Sequence, residues 1–539
     1  MKDSISVIDL SIIILYLGGI LIVGIYFGLN GRRKSSSEGF FLAGRSLNWL
    51  MIGAALFAAN ISTIHMVGLV AQGYKDGLVW GNFEWMATFL LIILGLIFAP
   101  FYFKSKISTL PEFLERRYGP YTRSFLAFIA LMSALFGHIG VSLYAGAIVF
   151  ENFFGIDFIT SILVISGVTL IYTILGGLKA VVITESIQTI ILIIGAVIMT
   201  VLSINALSEN GIHTITELKE ALRPQQLSMI HTNASSPLPI WAVILGYPVL
   251  GLYYWCADQT IVQKVLGAKS LEDAQKGPIF AGFIKILPVF MMVLPGVLAY
   301  ALYGDKITDP NDTLPILINE LLPVGLKGIL AATLMAALMS TIAAGLNSSG
   351  TLVSIDIVKR IFPNTSDKQI LRIGKITIFA VMVASVLWSP FIGQFKSIFE
   401  AVNSLLAVLS PPVSAVLILG VFWKRGNNMG ALVSMIIGFI LGVIVFMLDF
   451  VPISGSMMIT EGLNIPFMMQ AWWLFFICCV VFIVVSLFTE KPDYIKVSEV
   501  SLDAPLNFLL KGKITGIGDA RVLAGILLLT MGILYYIFR

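Results

Sequence analysis

The chain is a succession of long apolar runs separated by short polar segments. Crossing a bilayer core of about 30 Å takes about 20 helical residues. Runs of that order fall near 7–28, 50–74, 84–104, 123–150, 157–177, 181–206, 239–263, 280–303, 327–358, 371–392, 398–423, 428–450, 468–489 and 521–538. They are too long for spanning strands and do not alternate as such strands do. The pattern predicts an all-α polytopic membrane protein with about 14 transmembrane helices. The longest intervening segments, near 207–238, 304–326 and 490–520, are too short for a folded soluble domain. No enzyme is expected.

Composition agrees: 58% of the 539 residues are hydrophobic and 12% charged, against about 45–50% and about 25% in soluble domains. The net charge of +4 lies in loops rather than on one stripe, so no nucleic-acid partner is expected. If the N-terminus is outside, 25 of the 34 Lys and Arg fall in inward segments and 8 in outward ones, with Lys285 inside a span. The bias predicts both termini outside a cell (inner) membrane. No strongly basic leader or small-residue cleavage site flanks the first run, so a retained helix is expected. Cys256, Cys478 and Cys479 sit in apolar stretches and read as small buried hydrophobes.

Two spans look interrupted. Ala58-Ala59-Asn60-Ile61-Ser62-Thr63 puts three polar side chains at mid-span, and Gly246-Tyr247-Pro248 followed by Gly251 does the same for helix breakers. Simple kinks read the same way, but a pair five spans apart matches the repeat arrangement of transporters, where broken helices line a mid-membrane site. Ionisable residues inside spans are costly and point to function. Lys285 is too deep to reach an interface, Glu84 opens the third span, His65 follows the first break, and His138 reads as a neutral packing histidine. Ala337, Ser340 and Thr341 share one helix face at i, i+3, i+4. With freed carbonyls at Ala58 and Ile61 they could form a cage of five neutral oxygens for a hard monovalent cation. On spacing alone, ordinary small-residue helix packing is the better reading.

Several long motifs occur in order: FFLAGRSLNWL (40–50), AANISTIHMVG (58–68), STLPEFLERRYG (108–119), GGLKAVVITESIQ (176–188), LYYWCADQTIVQ (252–263), LMSTIAAGLNSS (338–349) and FWKRGNNMGA (422–431). Over roughly residues 7–450 the chain resembles the solute:sodium symporters, and within them the sodium/glucose (galactose) cotransporters. The resemblance implies a leucine-transporter-like inverted five-plus-five helix core with one extra N-terminal and three extra C-terminal helices. Segment boundaries then fall at 1–48 (extra helix and basic inner loop), 49–206 (first repeat), 207–238 (outer loop), 239–427 (second repeat) and 428–539 (extra helices). The family's sodium site maps to Ala58, Ile61, Ala337, Ser340 and Thr341, with Na⁺ as the coupling ion. Its sugar site maps to Asn60, His65, Glu84, Tyr254, Trp255, Lys285 and Asn403. Its inner and outer aromatic gates map to Tyr254 and Phe399.

Two departures bear on the substrate. Asn403 stands where the family has glutamine, one methylene longer. Ala343 and Ala344 stand where two-sodium members carry hydroxyls, and Glu185 replaces an aspartate, so one Na⁺ per cycle is expected. The resemblance implies import of a hexose by a monomer or weak homodimer. Three rivals remain: Na⁺ symport of inositol, sialic acid or proline; proton coupling through Glu185 or His65; and a sensor or membrane enzyme.

Overall fold

A computed structural model describes residues 6–30, 36–233, 236–394, 398–449, 457–460, 462–501, 514 and 516–539. Among them the structure is helical throughout, with one isolated backbone bridge, Leu47 to Ala268, and no strand. Eleven helices are long and apolar enough to cross a membrane, or 12 when one sharply bent pair counts as a span.

In chain order the main helices are α1 (Val7–Asn30), α2 (Trp49–Asn60), α3 (Thr63–Asp76), α4 (Leu78–Phe103), α5 (Pro120–Glu151) and α6 (Phe158–Glu209). Then come α7 (Ile240–Ala257), α8 (Leu271–Lys306), α9 (Leu326–Ile361) and α10 (Asp367–Ile392). The last four are α11 (Ile398–Phe422), α12 (Asn428–Asp449), α13 (Phe467–Phe488) and α14 (Ala520–Ile537).

The centre is α9. In its most apolar stretch 94% of residues are buried, against 17% in α1. Its run of Ala, Gly, Ser and Thr lets neighbouring backbones approach closely, and α1, α2, α6 and α10 pack on it. Asp9 fastens α1 to the start of α9 by accepting from Gly325 N at 2.8 Å and Gly328 N at 2.7 Å, which satisfies donors that a helix start leaves free. α2 and α3 also pack on α8, while α11, α12 and α13 pack on one another.

The expected spans 157–177 and 181–206 form one 52-residue element kinked at Gly177, where φ is 57° and ψ is −159°. A Cβ there would lie 2.5 Å from Phe40 O, so both conformation and space demand glycine. At 1.5 Å per residue the element is about 78 Å long, enough for two crossings.

The second expected interruption requires a correction. Residues 246–251 are helical, and Pro248 lies inside the helix Ile240–Gly251. Gly246 is there for packing, since a Cβ would meet Met468 O of α13 at 2.2 Å. The helix departs from α geometry later, in a widened turn over Leu252–Ala257, and ends at Asp258 with extended backbone. A further interruption is absent from the sequence reading. α8 pauses at Lys285–Ile286, where Lys285 terminates the helix Leu271–Ile284. Pro288 follows three residues on, where it cannot supply a helix donor.

Candidate functional site

The first interruption is where the sequence pattern puts it, between α2 and α3. The bend is 63°, and the unwound residues are Ile61 and Ser62. Ser62 caps α3, and His65 completes the capping box. His65 Nδ1 accepts from Ser62 N at 3.3 Å and lies 2.9 Å from Ser62 Oγ. A backbone N–H aimed at Nδ1 leaves the remaining ring proton on Nε2. It also diverts the Ser62 amide from Ala58 O, its partner in a continuous helix.

The released carbonyls turn to α9. Ala58 O accepts from Ser340 Oγ at 2.7 Å, and Ala59 O from Thr341 Oγ1 at 3.3 Å. Both hydroxyls also reach Ala337 O, at 2.9 and 3.2 Å. Ile61 is fully buried with extended backbone, φ −79° and ψ 112°. Four of the five residues expected at the cation position are thus joined by hydrogen bonds, and Ile61 is the adjoining unwound residue. Ala59 O belongs to the same cluster, which spacing alone did not reveal. All these groups are uncharged oxygens, the donor type a hard monovalent cation takes.

Beside this cluster lies a cavity of about 100 Å³. Asn60, His65, Glu84, Tyr254, Trp255 and Lys285 all line it, and so does Thr341. The structure therefore brings the predicted cation residues and six of the predicted substrate residues to one place. Phe399 and the seventh, Asn403, belong to α11, but their side chains lie outside the described residues.

The electrostatics are self-contained. Lys285 Nζ donates to Glu84 Oε2 and to Asn60 Oδ1. Glu84 and Lys285 are 2% and 1% exposed, so each charge depends on the other inside a poorly hydrated interior. Lys285 Nζ also sits 5.7 Å above the Trp255 ring. The widened turn Leu252–Ala257 presents Tyr254 and Trp255 edge to face, with centroids 5.0 Å apart.

Sequence reasoning singled out His138 but read it as a neutral packing residue. A second widened turn, Ser133–Gly140, carries it into the cavity wall. Its Nε2 lies 3.2 Å from Asp258 Oδ2, so it is a paired group and not a packing histidine. Phe83, Ser142 and Tyr247 also reach the cavity. Widened turns are frequent at functional sites, but nothing in a local pattern announces them. Glu185 is not among the cavity residues. It is fully buried and lies 3.2 Å from Lys264.

The model of the sodium:solute symporter family matches residues 40–438. The chain belongs to the sodium:solute symporter family. Among the relatives of this symporter is sodium/glucose cotransporter 1 of Oryctolagus cuniculus, 32% identical over 531 residues, covering 90% of this chain and 80% of that one. Sodium/myo-inositol cotransporter 2 of Mus musculus is 31% identical over 548 residues, covering 93% and 80%. In fold the symporter is similar to a substrate-bound, outward-open Na⁺-coupled sialic acid symporter, with a TM-score of 0.78 and 21% identity over 91% of this chain and 99% of that one. Membership makes the chain a multi-pass membrane carrier and not an enzyme, with Na⁺ as its coupling ion.

Proposed function

We propose that the chain imports a neutral hexose such as glucose or galactose together with one Na⁺, by alternating access. The supporting observation is the cancelled charge of the cavity. Glu84 and Lys285 neutralise each other beside Asn60, and Thr341 links that cavity to the oxygens of α2 and α9. A solute of hydroxyls fits such a wall, because Glu84 accepts while Asn60 and the Nε2–H of His65 donate, and no net charge is left over. A carboxylate-bearing solute such as sialic acid would leave one charge unmatched and buried, at a cost of several kcal/mol. The names of the relatives, sodium/glucose cotransporters at 32–33% identity, favour the same reading.

In this mechanism Ser340 and Thr341 stop donating their O–H groups to the carbonyls of α2 and present a hydroxyl lone pair to the ion. Ala58, Ile61 and Ala337 add carbonyl oxygens. The ion holds the end of α2 against α9, and Asn60 on the same helix end then faces the sugar. Tyr254 covers the apolar ring face and closes the inner side. Phe399 closes the outer side, and Asn403 completes the sugar contacts. The two helix repeats rock about this point, with both termini outside. One charge moving down about 100 mV supplies about 2.3 kcal/mol, which supports roughly 50-fold accumulation at 1.4 kcal/mol per decade.

The same neutral wall favours a second solute class, cyclic polyols such as myo-inositol, and a relative of that name is 31% identical. The test is uptake by proteoliposomes of a labelled panel: glucose, galactose, myo-inositol, sialic acid and proline. Hexose uptake driven by an inward Na⁺ gradient and abolished by choline is expected. Uptake that follows pH and ignores Na⁺ replacement would overturn the reading.

A further inference from the structure

The last helix touches the cavity at second hand. Asn82, two residues before Glu84, is fully buried and its amide is completely used. Nδ2 donates to Val79 O at 2.8 Å and to Met229 O at 2.7 Å, and Oδ1 accepts from Tyr535 Oη of α14 at 2.9 Å. Met229 N in turn donates to Phe538 O at 2.6 Å. The segment before α7 and the end of α14 thus close a ring around Asn82.

The residues flanking Glu84 are held as well. Phe83 O accepts from Tyr247 Oη at 2.8 Å. Trp85 packs edge-on against Tyr535 and Phe538, with centroids 5.2 and 5.9 Å away. Its Nε1–H donates at 3.3 Å to Ile286 O, the carbonyl next to Lys285. Neither Asn82 nor Tyr535 lines the cavity. The aromatic end of α14 packs against Trp85 beside Glu84 and, through Phe538 on Phe290 at 5.6 Å, against α8 beyond Lys285.

We propose that Tyr535 and Asn82 are positioning residues for the solute. By fixing the Glu84 turn against Lys285, they set both the affinity of the cavity and its ranking of sugar epimers. Hydrogen-bond strength falls steeply with angle and distance, so a contact group held by a satisfied network discriminates better than one left loose. The inference rests on the reading of this cavity as the sugar site.

Tyr535→Phe removes one hydroxyl and keeps the ring packing. Leu528→Ala, at an exposed position of the same helix, is the control. In proteoliposomes Tyr535→Phe should raise the hexose KM roughly five-fold, the size expected for one lost hydrogen bond. It should narrow the glucose-to-galactose preference while leaving Vmax and the Na⁺ half-saturation at saturating sugar as in the wild type. Leu528→Ala should change none of these. An unchanged KM and preference in Tyr535→Phe, or an equal change in Leu528→Ala, overturns the proposal. Amide exchange of residues 82–86 gives a readout that needs no sugar: Tyr535→Phe should speed it and Leu528→Ala should not. If the wild type transports no sugar, the functional reading fails, and this exchange measurement alone decides whether Tyr535 holds the Glu84 turn.

Discussion

Ser340 and Thr341 each hold two backbone carbonyls, one on their own helix and one on the broken end of α2. Their hydroxyls are the side-chain members of the oxygen cluster, so the account is most exposed there. Ser340→Ala or Thr341→Ala should raise the Na⁺ concentration for half-maximal uptake about ten-fold, taking roughly 1.5 kcal/mol for one contact to a charge. Uptake titrated with Na⁺ checks this, and an unchanged half-saturation in both variants would remove the cage. Lys285 offers a separate test through stability. Lys285→Ala strands a buried carboxylate and should cost about 3–5 kcal/mol, while the double change Glu84→Gln with Lys285→Met should cost far less. Thermal unfolding in detergent compares them, and equal losses would contradict the charge pairing. Lys285 and Glu84 were legible singly because a charge in an apolar run is conspicuous. Their bond to each other was not, because nothing local in a sequence pairs residues 84 and 285. His138 was misread for the same reason, since its partner Asp258 lies far along the chain, in the extended break after α7.

At the scale of elements, the interruption between α2 and α3 could be read because Asn60, Ser62 and Thr63 interrupt an otherwise apolar span. The one expected at 246–251 could not be assigned from composition. Glycine and proline there serve close packing against α13 and a tolerated helix interior. The widened turns of α5 and α7, which carry His138, Tyr254 and Trp255 to the cavity, leave no periodic trace. Gly177 combines positive φ with a backbone oxygen where a Cβ would be. Gly177→Ala should lower stability by about 1–3 kcal/mol and loosen the junction of α6 with the segment at Phe40. Thermal unfolding measures the first effect and amide exchange over residues 38–42 the second. A wild-type melting curve would contradict the kink.

For the whole molecule, hydropathy alone gave the helical membrane class, because a chain 58% hydrophobic and 12% charged has no other solvent for its surface. The centrality of α9 was less visible, since a buried span of Ala, Gly, Ser and Thr is less apolar than α1 and α6, the more exposed spans that pack on it. The joint position of cavity and oxygen cluster emerges only at this scale. Asn60 and Ala59 line the cavity while the carbonyls of Ala58 and Ala59 meet the hydroxyls of α9, on a single helix end. That shared end is the physical basis for coupling: an ion that orders it changes sugar affinity, and by reciprocity the sugar changes ion affinity. The most direct measurement is simultaneous flux of labelled Na⁺ and labelled hexose into the same proteoliposomes under an inside-negative potential. The account predicts that hexose stimulates Na⁺ entry, that the two enter in equal numbers, and that Ser340→Ala abolishes both at low Na⁺. Hexose entry with no accompanying Na⁺ would contradict it.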